Sequence, residues 1–227
     1  SEVSLESRFA RDELFIQNDN DRLSLGTDKW PVITLRYTHG ISGVFGSDFD
    51  YDKVRLTVKK RISWGPLGYS YLTLTGENVF NTLPYPLLTL HLGNQSPLYS
   101  TVNYSLMNYG EFVSDHFASL QYQHYFEGLF LNRIPLLKKL NWRLLGTTNI
   151  IAGGMRQSNK DLIATTTSSG LGVEKVGFLK NKPYVELGYG VENIFRILRV
   201  DFVHRVSYLE NDKARKFGVL FTVQFQL

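Results

Sequence analysis

The chain has 227 residues, with 25 Lys and Arg against 21 Asp and Glu, 13 Tyr, 15 Phe and no cysteine. That length suits one sizeable domain, and the lack of cysteine excludes disulfides, zinc–thiolate centres and thiol catalysis. A net charge of +4 on scattered Lys and Arg gives nucleic-acid binding no support. Mean hydropathy of -0.17 and the absence of any long apolar run exclude a membrane-spanning helix, but not a barrel of alternating strands.

The chain opens without a signal peptide on Ser1-Glu-Val-Ser-Leu5, already alternating. It is therefore read as processed or as a piece of something longer. Strand-like runs follow at roughly 2–9, 31–39, 52–63, 67–76, 116–127, 140–152, 184–193, 198–209 and 216–227. In 31–39, Ile33, Leu35 and Tyr37 oppose Thr34, Arg36 and Thr38. In 52–63, Val54, Leu56, Val58 and Ile62 oppose Arg55, Thr57, Lys59 and Arg61. All seven prolines fall at run starts or between runs, where a missing N–H does no harm to a ladder. Helical periodicity is confined to Ile134-Pro-Leu-Leu-Lys-Lys-Leu140, with Pro135 at its start.

The last run alternates most strictly. Phe217, Val219, Phe221, Val223, Phe225 and Leu227 share one face, with Thr222, Gln224 and Gln226 on the other. It is long enough to cross a bilayer as a tilted strand. Gly218, Phe221, Val223, Phe225 and Leu227 resemble the C-terminal signal by which outer-membrane barrels are recognised for insertion. The odd-numbered apolar residues are expected to face lipid; in a soluble sandwich they would face a core.

Connection lengths give an orientation. With a descending final strand, 64–66, 128–139 and 192–196 fall on the periplasmic side, and the longer 41–51, 77–115 and 155–183 fall outside. The long, charged stretch 10–30 is an exception on the periplasmic side. Trp30, Trp64 and Trp142 come to periplasmic strand ends and Tyr51, Tyr184 and Tyr208 to outer ends, as two interfacial belts would require.

The polar residues of the last hairpins carry the site expectation. Glu186 and Glu192 share a face of their strand with Gly188 and Gly190, which thin it where bulky side chains approach. Arg199, Asp201 and Arg205 share a face of the next strand with Val203. In lipid these five charges must point into the lumen and pair there. The set reads as a polar core fixing strand register, or else as a selectivity lining or a plug-docking site. His204 falls on the opposite face with no evident role.

Ser114, Asp115 and His116, with Glu111 nearby, are the candidates for hydrolytic chemistry. Adjacent strand residues point opposite ways, so Asp115 and His116 do not readily face one substrate. The expected role of Glu111, Asp115 and His116 is to anchor a long outer loop. The five histidines show no ligand spacing, so neither a metal site nor a cofactor is expected.

Four segments carry a family resemblance: Leu83-Pro-Tyr-Pro-Leu-Leu88, Asn103-Tyr-Ser-Leu-Met-Asn-Tyr-Gly-Glu-Phe-Val-Ser-Asp-His-Phe117, Phe126-Glu-Gly-Leu-Phe-Leu-Asn-Arg-Ile-Pro-Leu-Leu-Lys-Lys-Leu140 and Pro183-Tyr-Val-Glu-Leu-Gly-Tyr-Gly-Val-Glu-Asn-Ile-Phe195. They resemble the C-terminal barrel region of a Bacteroidota family of outer-membrane proteins of unassigned function. Its members usually carry a carboxypeptidase-regulatory-like domain ahead of the barrel. The resemblance implies a longer natural protein and no particular activity.

The expectation is thus an all-β, antiparallel transmembrane β-barrel over 1–227, or the C-terminal part of a larger one, in the bacterial outer membrane. Its partners would be membrane lipid, the barrel-assembly machinery during insertion and other envelope proteins, with no nucleic acid. Its role would be non-catalytic, in transport, envelope assembly or partner scaffolding, with a barrel-based cell-surface hydrolase as the alternative. With roughly nine strands, 2–9 and 216–227 are not expected to close a cylinder, and further strands are expected upstream.

Overall fold

The computed structural model describes residues 1–18, 21–27, 29–163, 177–180 and 182–223. The chain is all-β with almost no helix. Its strands are β1 (Glu2–Phe9), β2 (Glu13–Asn18), β3 (Asp21–Thr27), β4 (Val32–Gly40), β5 (Tyr51–Ser63), β6 (Tyr69–Val79), β7 (Thr89–Leu90), β8 (Val113–Ser114), β9 (His116–Tyr125), β10 (Arg143–Gly154), β11 (Tyr184–Ile194), β12 (Leu198–Arg205) and β13 (Phe217–Val223). Nine of them form one sheet in the order β1-β4-β5-β6-β9-β10-β11-β12-β13, and every neighbouring pair is antiparallel. These nine correspond to the nine runs read from alternation. β2 and β3 form a separate hairpin, and β7 and β8 another small pair. Both lie in stretches where no strand was expected, because neither is long or strictly alternating. Among the described residues β1 and β13 do not pair with one another.

Because neighbours follow one another in sequence, connections alternate between two rims. One rim, called near here, holds the described residues of 10–18, 21–27, 29–31, 64–68, 126–142 and 195–197. The far rim holds 41–50, 80–112, 155–163, 177–180, 182–183 and 206–216. The near-rim turn after β5 is tight: Gly65–Leu67 is a 3-10 turn with Pro66 inside it, and Gly68 follows at φ 96°. A short helix, Pro135–Lys138, starts at Pro135 as the sequence suggests.

Cross-strand register fixes which residues share a face. One face carries Leu5, Leu35, Leu56, Leu74, Leu187, Phe217, Phe221 and Val223, all exposed. Phe225 and Leu227 lie outside the described residues. The opposite face carries most of the charged residues, though Asp52 and Lys60 lie on the first, near the strand ends. The apolar core lies on this polar side, toward the far rim, where 80–112 folds back over the sheet. One cluster joins Tyr104, Met107 and Phe112 to Ile151, Tyr184 and Tyr208. Another joins Leu83, Leu88 and Val113 to Tyr51, Val79 and Met155.

Two details of the sequence reading change. Tyr51, Tyr184 and Tyr208 are only 4%, 0% and 1% exposed. They are core residues and not an outer aromatic belt. Tyr208 also leaves the strand pattern, at φ 54° after β12 has ended. His204 lies on the apolar face between Tyr189 and Phe217, with ring centroids 5.8 and 4.9 Å away, so it completes an aromatic row.

Gly68 gives a direct test of the tight turn. A Cβ there would lie 1.9 Å from the Tyr125 carbonyl oxygen, whereas Gly65, also at positive φ, has open space. Gly65→Ala should cost about 1 kcal/mol from backbone strain alone. Gly68→Ala should cost clearly more, measured as the difference in denaturant midpoint at equal slope.

Candidate functional site on the polar face

The site is where 80–112 lies against β10–β13. Alternation puts Glu186 and Glu192 on one side of β11, and Arg199, Asp201 and Arg205 on the same side of β12. All five are buried. Gly188 and Gly190 make this possible. A Cβ at Gly190 would stand 3.0 Å from an Asp201 carboxylate oxygen, and one at Gly188 would stand 2.3 Å from Thr147 Oγ1.

These charges form no continuous network. Arg199 Nε and Nη2 donate to Asp201 Oδ2 and Oδ1 at 2.8 Å each, and Nη1 donates to Tyr125 Oη at 3.0 Å. The Tyr99 ring, from the connection, covers the same guanidinium at 4.5 Å. Glu186 and Arg205 are direct cross-strand partners, yet each turns to the connection. Glu186 accepts the backbone N–H groups of Ser105 (2.9 Å) and Leu106 (2.6 Å), and the Tyr184 hydroxyl at 2.6 Å. Arg205 donates to both oxygens of Glu111, at 3.0 and 2.5 Å, and to the Tyr208 carbonyl at 2.8 Å. Glu192 has no ion pair among the described residues. The expectation that every charge meets its opposite therefore fails for Glu186 and Glu192. The backbone amides that satisfy Glu186 carry no sequence signature.

The connection is fixed at further points. Leu106 packs with Val203 and Leu220, over Gly218, where a Cβ would come within 2.7 Å of it. The Tyr99 N–H donates to the Phe221 carbonyl and the Phe221 N–H to the Pro97 carbonyl, both at 2.8 Å, so the connection also holds the free edge of β13. Buried Asp115 accepts from Arg156 N–H (2.8 Å), Asn159 Nδ2 (2.5 Å) and His116 Nδ1 (2.5 Å). Asn159 in turn accepts from Leu83 N–H at 2.7 Å. Glu111 and Asp115 thus anchor far-rim loops, as their sequence context suggests.

The residues considered for hydrolysis do not assemble. Ser114 Oγ meets His91 Nε2 at 2.9 Å, while Asp115 meets His116. Two separate pairs result, and Ser114 has no exposed surface. Burial, then the nearby Arg55 charge, pushes the His91 imidazole down to about 4, so it is neutral at pH 7. Burial pushes the Glu111 carboxyl up, but Arg205, the Asn108 N–H and Asn211 outweigh it and hold it below the usual carboxylate range. Among the described residues no three His, Asp or Glu side chains converge as a metal site.

Residues 1–158 match the family of unknown function (DUF5686) C-terminal domain. The chain belongs to this family. The match covers the connection and its anchors Glu111 and Asp115, while Glu186, Arg199 and Arg205 lie beyond it. No curated protein and no solved structure matches the chain.

Two outcomes follow for this DUF5686 C-terminal domain. Asp201→Asn leaves the Arg199 guanidinium buried without its counter-charge and should cost about 3–5 kcal/mol. Glu192→Gln breaks no hydrogen bond or ion pair among the described residues and should cost far less, with both read from equilibrium unfolding. Acid should loosen the connection. His91 is depressed, so the unfolded chain takes up its proton first, near the ordinary value of about 6.5. The stability His91 contributes is present above that pH and lost down to about 4. Glu111, also depressed, loses its contribution as pH falls below its unfolded value of about 4.3. Hydrogen-exchange protection of the Ser105 and Leu106 amides, normalised to intrinsic rates, should fall in that order, and the first step should vanish in His91→Gln.

Proposed function

We propose that the nine-stranded sheet is wall of an outer-membrane β-barrel, acting without catalysis as an envelope scaffold whose interior is filled by its own 80–112 connection. The observation that carries this is the bare apolar face and its limits. Soluble proteins rarely leave contiguous apolar surface of this extent uncovered. On this face Ser70 pairs with His124 toward the near rim and Asn78 with His116 toward the far rim, eight residues further along each strand. Between the two polar rows stand Leu72, Leu74, Leu120 and Tyr122. Eight steps span about 27 Å along a strand, or about 20 Å normal to the plane at a tilt of about 40°, near the apolar band of about 25 Å in such barrels.

The near-rim row has interfacial chemistry. Trp64 Nε1 donates to Ser70 Oγ at 2.6 Å, and Ser70 Oγ also contacts Tyr122 Oη at 2.8 Å and His124 Nδ1 at 2.9 Å. Rings with one polar end held this way suit a headgroup boundary. The bound connection argues against a simple open pore, so scaffolding or assembly fits better than free diffusion. Lipid, the barrel-assembly machinery and other envelope proteins are the partners this reading requires, in a bacterial outer membrane. Since β1 and β13 do not pair, closure would call on further strands.

The second reading is a barrel-based hydrolase. The neutral His91 beside Ser114 favours it; the burial of both, with Asp115 engaged elsewhere, counts against it. Hydrolysis of a lipid or peptide panel, lost in His91→Ala, would establish it.

The membrane reading is tested on neighbouring residues of β5. Leu56 lies on the bare face and Thr57 on the polar one. An arginine facing lipid at mid-depth costs about 2–4 kcal/mol. Leu56→Arg should sharply reduce the heat-modifiable, membrane-inserted fraction, and Thr57→Arg should not. Equal yields would refute it.

A further inference from the structure

We infer, resting on the membrane reading, that the near-rim connection 126–142 is a docking surface for anionic phospholipid headgroups of the leaflet that meets this rim. Rings lead from the bare face into the connection. Tyr122 and His124, on that face, have centroids 6.3 Å apart; Phe126 follows at 4.3 Å from His124, and Phe130 at 5.3 Å from Phe126. The Phe126 ring still covers the sheet, since a Cβ at Gly146 would lie 3.7 Å from it. Phe130 stands beyond the strands and is 48% exposed.

The connection couples exposed apolar side chains to cations without a counter-charge. Ile134 and Leu140 are 48% and 47% exposed, on either side of the short helix Pro135–Lys138. Arg133, Lys138 and Lys139 stand beside them in the chain, all exposed. None of these three has a side-chain hydrogen bond or ion pair among the described residues. From 128 to 142 the sequence holds no Asp or Glu, and Glu127, just before it, is met by Arg143 at 3.2 Å. The neighbouring turn continues the surface: Asn193 Nδ2 donates to the Asn141 carbonyl at 2.8 Å, and exposed Phe195 and Arg196 follow.

Both features call for the same partner. Exposed rings and aliphatic side chains enter the boundary between headgroups and acyl chains, while Lys and Arg beside them reach the headgroup phosphates. Arg199 and Arg205, by contrast, are each met by a carboxylate within 2.5–3.0 Å and offer nothing to an outside anion. An acidic protein would satisfy the near-rim cations equally well. It would, however, have to cover a ring row that steps from the connection directly onto the lipid-facing sheet. A charged lipid surface meets the cations and the rings at once.

The test uses the full chain with Ile134→Cys, which gives a polarity-sensitive fluorophore a single attachment point because the chain has no cysteine. It is inserted into phosphatidylcholine nanodiscs carrying increasing phosphatidylglycerol, and only the heat-modifiable fraction is read. Emission should shift to the blue as phosphatidylglycerol rises, and salt should screen the shift. In Arg133→Gln/Lys138→Gln/Lys139→Gln the response should fall at least fivefold at an unchanged inserted fraction, the factor that about 1 kcal/mol from a single such residue gives. Lys213→Gln/Lys216→Gln, on the far rim, should leave it unchanged. A heat-modifiable chain whose label ignores phosphatidylglycerol, or responds equally in the triple variant, overturns this surface and leaves the membrane reading standing. A label that ignores phosphatidylglycerol but is shielded by added envelope extract overturns it in favour of a protein partner. A chain that never becomes heat-modifiable overturns the membrane reading and this surface together.

Discussion

A carboxylate buried in a protein must be hydrogen-bonded or it costs several kcal/mol. Glu186 sits on β11 with Arg205 directly opposite on β12, and the simplest solution would be an ion pair between them. Instead Glu186 takes the amides of Ser105 and Leu106, and Arg205 takes Glu111. Sheet and connection therefore depend on each other. The sheet supplies charges it does not neutralise across the strand pair, and the connection supplies backbone donors that have no strand partner of their own. Neither half is satisfied alone, so the fold is defined as much by 80–112 as by the strands.

Much of this was legible in the sequence, and the boundary is physical. Alternation at period two assigns a face to each residue, so the nine sheet strands and the common side of Glu186, Glu192, Arg199, Asp201 and Arg205 could be read directly. Gly188 and Gly190 were also legible, since a missing side chain beside charged neighbours marks a close approach. The partners were not. The 80–112 stretch has no period, and an amide donor looks the same at every residue. Tyr51, Tyr184 and Tyr208 show the same limit. A tyrosine near a strand end can be an interfacial ring or a core ring, and the loop folding over it decides which.

The β2–β3 hairpin and the His91–Ser114 pair were missed for related reasons. The hairpin is short, and its alternation is broken by a register shift between Leu14 and Phe15. His91 and Ser114 are far apart in sequence and meet because β7 pairs with β8. Long-range pairings of two residues leave no local pattern. His204, unexplained from sequence, needed only its neighbours: Tyr189 on β11 and Phe217 on β13 flank it across the sheet.

The polar face is not uniform, and the contrast between its two wings organises what each can do. Over β10–β13 the charges are buried, and Arg199–Asp201 and Arg205–Glu111 are two-bonded. Removing one partner there strands a charge in a low-dielectric setting. Between β1 and β4 the pair of Arg36 and Glu6 is open to solvent, and such a pair contributes about 0.2–1 kcal/mol. That exposed pair adds little to stability. Lys59, on the same wing, is likewise exposed. It is the covered wing whose charges hold sheet and connection together.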